Sequence, residues 1–160
     1  MIHDPIIPFS KFDLNKVIVD RETIQTYNPQ RFEMAQLDAI VYEDSESCVG
    51  YKDVTHEEFW VRGHMPGTPL MPGVIMCEVA AQLSAFFAVR NNLLNSKIVG
   101  LGGLKDIRIR SVVRPGQRLV IMLRTDKLRP NVLVSCRFQG FVEKELVLDG
   151  GIMGVPIRES

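Results

Sequence analysis

The sequence is poor in everything that marks a disulfide-stapled, metal-clamped or nucleotide-binding protein. Its 160 residues include three cysteines, Cys48, Cys77 and Cys136. They are odd in number, far apart and set in apolar or alternating stretches, which excludes a disulfide framework and predicts reduced core thiols. There is no CxxC, HExxH or Walker loop, and Gly100-Leu101-Gly102-Gly103 follows a strand pattern without opening a helix, so it is not a phosphate cradle. His3 and His56 lack ligand-like neighbours, and in His56-Glu57-Glu58 adjacent strand residues point to opposite faces, which predicts solvated side chains. Neither a metal nor a nucleotide cofactor is expected. Met1-Ile2-His3-Asp4-Pro5 offers no basic region, apolar run or cleavage site of a secretory leader, and the expected compartment is the cytoplasm. The longest apolar run, Val74 to Val89, is sixteen residues broken by Glu78, Gln82 and Ser84. That is short of the roughly 20 needed to cross a bilayer, so a buried helix is expected and not a span.

Net charge is also lacking, since nineteen Lys and Arg balance nineteen Asp and Glu. A chain built to neutralise nucleic-acid phosphates is thereby excluded. The balance is an average: residues 1 to 60 carry five basic and twelve acidic groups, and residues 97 to 129 carry nine basic and two acidic ones.

What is present is apolar material for a core, 46% of the chain, and a clear order of elements. Residues 1 to 28 read as an irregular lead-in with one short helix capped by Asp20, Ile24 and Tyr27 facing inward. Gln36 to Tyr42 and Ser47 to Val54 read as a hairpin. Gly63 to Gly73 carries Pro66, Gly67, Pro69 and Pro72 and must be a shaped loop. Val74 to about Leu94 reads as a helix apolar on nearly every face, which something must wrap. Ile98 to Arg110, Arg118 to Thr125, Asn131 to Val142 and Leu146 to Val155 are strand-like, with period-two apolar positions in Ile107 to Arg110 and Val132 to Phe138. One helix followed by hairpins predicts a single α+β domain over 1–160, a curved antiparallel sheet enclosing the helix.

Three features converge around the loop-to-helix junction. His64 starts a proline-stiffened loop, which fixes an imidazole suited to general acid or base work; the alternative is a solvated or capping histidine. Glu78 is the only ionisable residue between His64 and Arg90. It is either partly buried and partnered, with Gln82 four residues on as the candidate, or a wet first-turn glutamate favoured by the helix dipole. Pro72-Gly73 opens the helix, so the Gly73 N–H can receive a carbonyl oxygen on which charge develops; a purely conformational glycine is the alternative. Together they suit proton abstraction beside a carbonyl.

The run Gly63-His64-Met65-Pro66-Gly67-Thr68-Pro69-Leu70-Met71-Pro72-Gly73, with Glu78-Val79-Ala80-Ala81-Gln82 after it, resembles the signature of the FabZ-type 3-hydroxyacyl-(acyl-carrier-protein) dehydratases. Similarity extends to Pro29-Gln30-Arg31-Phe32 with Asp38 upstream and to Gly103 through Gly116 downstream. Met65 stands where the family usually has phenylalanine, and Gln30, Glu33, Ala35 and Gln36 replace His, Pro and apolar residues of the upstream element. Glutamate at 78 leans towards the FabZ type over its isomerising FabA relative.

The resemblance implies a hot-dog fold and dimer-interface sites in which His64 removes the α-proton of a (3R)-3-hydroxyacyl thioester. Glu78 of the other subunit would protonate the departing hydroxyl, and the Gly73 N–H would polarise the thioester carbonyl. Met71, Pro72, Gly73 and Gln82 are the expected substrate contacts. It also implies an acyl-carrier-protein substrate, a homodimer that can assemble as a trimer of dimers, and no cofactor. The basic segment then offers Lys105, Arg108, Arg110 and Arg114 as a carrier-docking rim, unless these are only the solvated face of strands or partners of the acidic N-terminal third across a subunit boundary. A thioesterase on the same fold and a non-catalytic carrier-binding subunit are the competing expectations.

Overall fold

A computed structural model describes residues 3–159. Seven antiparallel strands form one sheet: β1 (Val19–Asp20), β2 (Ala39–Glu43), β3 (Ser47–Asp53), β4 (Ile98–Ile109), β5 (Arg118–Arg129), β6 (Leu133–Val142) and β7 (Glu145–Ile157). Their spatial order is β1-β2-β3-β5-β6-β7-β4. The sheet curls around one long helix, α2 (Gly73–Arg90); a single turn, α1 (Arg21–Ile24), precedes β2. α1 begins as expected, with Asp20 Oδ1 accepting from the Thr23 N–H at 2.8 Å.

α2 has the length and a mean hydropathy of 1.4 that a membrane span would have, yet most of it lies buried inside the protein. Met76, Val79, Ala80, Leu83, Phe86 and Phe87 are essentially inaccessible and pack on inward residues of the sheet such as Leu119, Ile121, Val134, Phe138 and Leu148. The sheet therefore does for α2 what lipid would otherwise do. The helix stops at Arg90, four residues before the expected Leu94. Asn92 takes a left-handed φ of 50°. The Leu93 N–H then returns to the Ala88 carbonyl at 2.9 Å and the Asn92 N–H to the Val89 carbonyl at 3.1 Å. This is a Schellman closure with asparagine in glycine's usual place.

The lead-in is more organised than expected. Ile6, Ile7, Phe9, Phe12 and Leu14 lie against Val41, Val49, Val120, Met122 and Phe141 on the outer face of the sheet, forming a second core. Gln139 clamps this strap: its Oε1 accepts from the Ile6 N–H at 2.6 Å and its Nε2 donates to the Asp4 carbonyl at 3.1 Å.

Glu58 is a correction to the expected solvated run. Its side chain is buried beside the equally buried Lys52, at 3.2 Å, and it also accepts from the N–H and hydroxyl of Thr55 at 3.0 Å each. This network ties the segment leading to His64 onto β3. β4 departs from strict alternation as well. A bulge falls between Lys105 and Arg108, and Asp106 takes a φ of 52°; Ile107 turns to the core while Ile109 is exposed.

All three cysteines are free and buried. Burial pushes their thiols up, Cys48 well above the ordinary range and Cys136 from 9.0 to about 11, the latter despite hydrogen bonding to Ser84 and Thr125. The folded thiols stay protonated where the unfolded ones ionise, so the folded chain holds more protons at high pH and stability falls as pH rises above about 9. A chromogenic disulfide reagent at pH 8 should therefore titrate no thiol in the native protein and three after unfolding in urea; a fast native thiol would contradict this burial.

Candidate active site

The proline-rich loop is held at both ends by the main chain. The His64 N–H donates to the Trp60 carbonyl at 2.8 Å, and the Met71 N–H to the Val113 carbonyl at 2.8 Å. Within that frame His64 Nδ1 lies 2.8 Å from the Leu70 carbonyl oxygen. A carbonyl can only accept, so Nδ1 carries a proton, and in the neutral ring the lone pair lies on Nε2. This is the tautomer a general base requires. The ring is partly exposed and set at the protein surface.

Pro72 is the N-cap of α2, and Gly73 is its first residue. Among the described residues neither the Gly73 nor the Val74 N–H has an acceptor; the first N–H groups to be paired are those of Ile75 and Met76, both to the Pro72 carbonyl. Two free donors at the positive end of an eighteen-residue helix can hold an oxygen that gains negative charge. Gly73 also packs closely on the Ile109 side chain, so β4 fixes where the helix begins.

Glu78 lies in the second turn of α2, partly buried, and Gln82 holds it: Gln82 Nε2 donates to Glu78 Oε1 at 2.8 Å. The same nitrogen donates to the Met34 carbonyl at 2.6 Å, and Gln82 Oε1 accepts from the Gln36 N–H at 2.8 Å. The Gln82 backbone carbonyl accepts from Asn28 Nδ2 at 2.9 Å. The expected Glu78–Gln82 pairing is thus present, with Gln82 serving as a hub that hangs residues 28 to 36 on the helix. Glu78 Oε2 has no partner among the described residues, so one oxygen is anchored and the other is available.

Beside Glu78, between α2 and strands β4 and β7, is a cavity of about 330 Å³. Small residues make the room, Ala81 and Ala85 on the helix and Gly100 and Gly154 on the sheet. His64 does not line it, and no hydrogen bond joins His64 to Glu78; within one chain the two side chains do not meet. Met71 and Pro72 also lie outside this cavity, Met71 being buried in the main core.

The basic segment divides. Lys105, Arg108 and Arg110 line a groove of about 870 Å³ on the outer face of β4 to β7, joined by Lys127 and Arg137. Arg137 comes near Lys105 only through strand pairing, Lys105 with Gly151 and Gly151 with Arg137, which no local pattern in the sequence reveals. Arg110 is engaged by Asp149 at 3.0 Å. Arg114 sits apart, exposed in the β4–β5 turn. Arg118 is bound to Asp53 and stacked 3.8 Å over the Tyr51 ring. The Arg118–Asp53 pair joins the basic segment to the acidic N-terminal third within the chain.

A helix enclosed by a curled antiparallel sheet, with a histidine anchored in the loop before the helix and a glutamate anchored on it, defines a hot-dog protein. Residues 28–150 match the FabA-like domain family, and the chain belongs to that family. Curated relatives include the 3-hydroxyacyl-(acyl-carrier-protein) dehydratase FabZ of Syntrophobacter fumaroxidans, 35% identical over 84% of this chain and 92% of the relative. That of Herpetosiphon aurantiacus is 35% identical over 82% and 94%. Among solved structures, the fold is shared with the dehydratase heterocomplex ApeI:P of Xenorhabdus doucetiae, at a TM-score of 0.73 and 14% identity, covering 85% of this chain and 91% of that one. It is also shared with the E. coli PaaI protein of the phenylacetic acid degradation operon, at 0.58 and 13%, covering 72% and 80%.

The Gln82 hub makes a measurable demand on stability. Gln82→Leu leaves the Gln36 N–H, the Met34 carbonyl and Glu78 Oε1 without their amide partner. Each buried polar group so stranded costs about 1–3 kcal/mol. Urea unfolding should show a loss of about 2–4 kcal/mol after partial relaxation; a loss below about 0.5 kcal/mol would remove Gln82 from this role.

Proposed function

We propose that the chain is a cytoplasmic 3-hydroxyacyl-(acyl-carrier-protein) dehydratase whose working sites are completed between two copies. The observation that carries this reading is the matched pair of anchored groups: His64, protonated on Nδ1 by its contact with Leu70, and Glu78, held on one oxygen by Gln82. Both stand in the segment that also gives the strongest family likeness.

In the reaction, Nε2 of His64 takes the α-proton of the substrate while the thioester oxygen rests on the Gly73 N–H, which stabilises the developing enolate. Glu78 of the second copy gives a proton to the 3-hydroxyl, water departs and a trans-2-enoyl thioester remains. Elimination at this position needs base, acid and oxyanion donor, and the chain supplies all three. Enclosure of the acyl chain against the Ala and Gly surfaces of the cavity excludes bulk water and strengthens each contact.

Two features support a second copy as the partner. β4 pairs with β7 alone, leaving a twelve-residue edge open. Apolar side chains crowd that edge and the helix start beside it: Leu101, Leu104, Ile109, Val112 and Val74 are each more than 40% exposed. A long apolar edge strand invites pairing, and a two-fold copy of itself is the simplest cover. A trimer of such dimers is the expected larger assembly. For the carrier, Arg108, Lys105 and the exposed Arg114 form a positive approach.

Incubation with a 3-hydroxyacyl thioester, followed by mass spectrometry, should yield the enoyl product and no free thiol; free thiol would mean a thioesterase. His64→Ala and Glu78→Gln should each lower kcat by about 10²–10⁴-fold. Equal mixing of the two dead variants under subunit exchange should restore about a quarter of the activity, because half the dimers then carry one intact site. Arg114→Glu should lower kcat/KM for the carrier-linked substrate about tenfold while leaving the CoA-linked substrate within about twofold; equal losses on both substrates would remove Arg114 from docking.

A further inference from the structure

Gln30 lines the Glu78 cavity, and its side-chain amide makes no hydrogen bond among the described residues. The oxygen Oε1 is buried without a hydrogen-bond partner among the described residues. The one hydrogen bond Gln30 makes there is through its backbone carbonyl, which accepts from Arg31 at 2.9 Å. Gln30 as a residue is half-buried, but this amide position is shut off from solvent with its hydrogen-bonding capacity unmet, a costly arrangement that native structures keep for a reason.

The residue is also held in place. The Arg31 guanidinium donates to the carbonyls of Gln25 at 2.8 Å and Asn28 at 2.7 Å, closing the turn on which Gln30 sits. Asn28 is bonded to the Gln82 carbonyl, so the turn is fixed to the helix one turn from Glu78. The spare amide is therefore preorganised, not adrift.

The cavity indicates what it meets. Its lining is mostly Ala, Gly, Val, Leu and Ile, with both amide atoms of Gln82 already engaged and Glu78 as the one ionisable group. A carboxylate or phosphate would find no Lys, Arg or His in this lining to pair with, and a plain alkyl chain would leave the Gln30 amide unpaired. An uncharged hydroxyl on an otherwise apolar chain satisfies both, because a carboxamide can donate to it and accept from it. We propose that Gln30 recognises the 3-hydroxyl of the substrate and turns it towards Glu78, an assignment that rests on the dehydratase reading above.

The test compares two CoA thioesters of equal acyl length, one 3-hydroxylated and one saturated, by calorimetry in a Glu78→Gln background where substrate is not consumed. The parent should bind the hydroxylated thioester about tenfold more tightly. Q30L should reduce that preference to near one while leaving the saturated affinity unchanged, and Q30H, which keeps a hydrogen-bonding group, should retain part of it. An unchanged preference in Q30L overturns the assignment, as does an equal loss of both affinities at unchanged Tm. Wild-type turnover separates the two readings. Turnover with an unchanged Q30L preference removes Gln30 and keeps the reaction; no turnover with a preference that Q30L abolishes removes the reaction and keeps the Gln30 contact.

Discussion

The carboxamide of Gln82 joins the parts of this protein that would otherwise be independent. It lies in the middle of a helix apolar on every face, where each polar atom must find a partner or cost free energy. Both of its N–H groups and its oxygen are engaged: two donations, to Met34 and Glu78, and one acceptance, from Gln36. Because those partners belong to a loop and to a carboxylate, satisfying one amide fixes two things together, the path of residues 28 to 36 and the direction of the Glu78 side chain. Ala80 or Leu83 could be exchanged for another apolar residue with a local packing cost. Gln82 has no such substitute, since its shape and its donor and acceptor count are both used.

The enclosure of α2 sets the remaining geometry. A helix apolar all round must be wrapped on all sides, and the sheet accomplishes this only by curling until its last strand, β4, lies alongside the helix with one edge open. That open edge is the geometric remainder of wrapping a cylinder with a finite sheet. The same curl brings Ile109 against Gly73 and so fixes the start of the helix, where free N–H groups face outward. The exposed apolar edge and the oxyanion donors are therefore products of one constraint, which is why a second copy covering β4 would also lie close to the helix start.

Much of this was legible in the sequence because it rests on local or periodic signals. The proline and glycine content of residues 63 to 73 marks a rigid loop, the apolar run marks an enclosed helix, and the alternation in Val134, Cys136 and Phe138 marks the inward face of β6. The Glu78–Gln82 contact follows from four-residue spacing alone. Pairings between distant segments were not legible. Burial of Glu58 against Lys52 depends on a turn that doubles back on β3, and the His56 to Glu58 run looks solvated until that turn is known. The basic groove brings Lys105 to Arg137 through two strand registers, the first beside a bulge, and one residue of slip would send Arg137 inward. The outer core under Ile7 and Phe9 was hidden for a similar reason: its partners lie on the sheet face that a two-layer reading assigns to solvent. Gln30 was visible as a departure from the family pattern, but its burial was not.

The separation of His64 and Glu78 within one chain bears on what each can do. Side by side, an imidazole and a carboxylate exchange a proton and settle as an ion pair, in which the histidine has no lone pair to offer and the carboxylate no proton to give. Acid and base catalysis in one step requires the opposite condition, two groups that approach the same substrate from different sides without neutralising each other. Here each is tied to its own support, His64 to the Leu70 carbonyl and Glu78 to the Gln82 amide. Both ties are to uncharged partners, which orient a side chain without fixing its protonation state as an opposite charge would. If the two groups meet across a pair of chains, the substrate is what finally stands between them, and in the elimination a proton taken by the histidine is matched by a proton given by the glutamate.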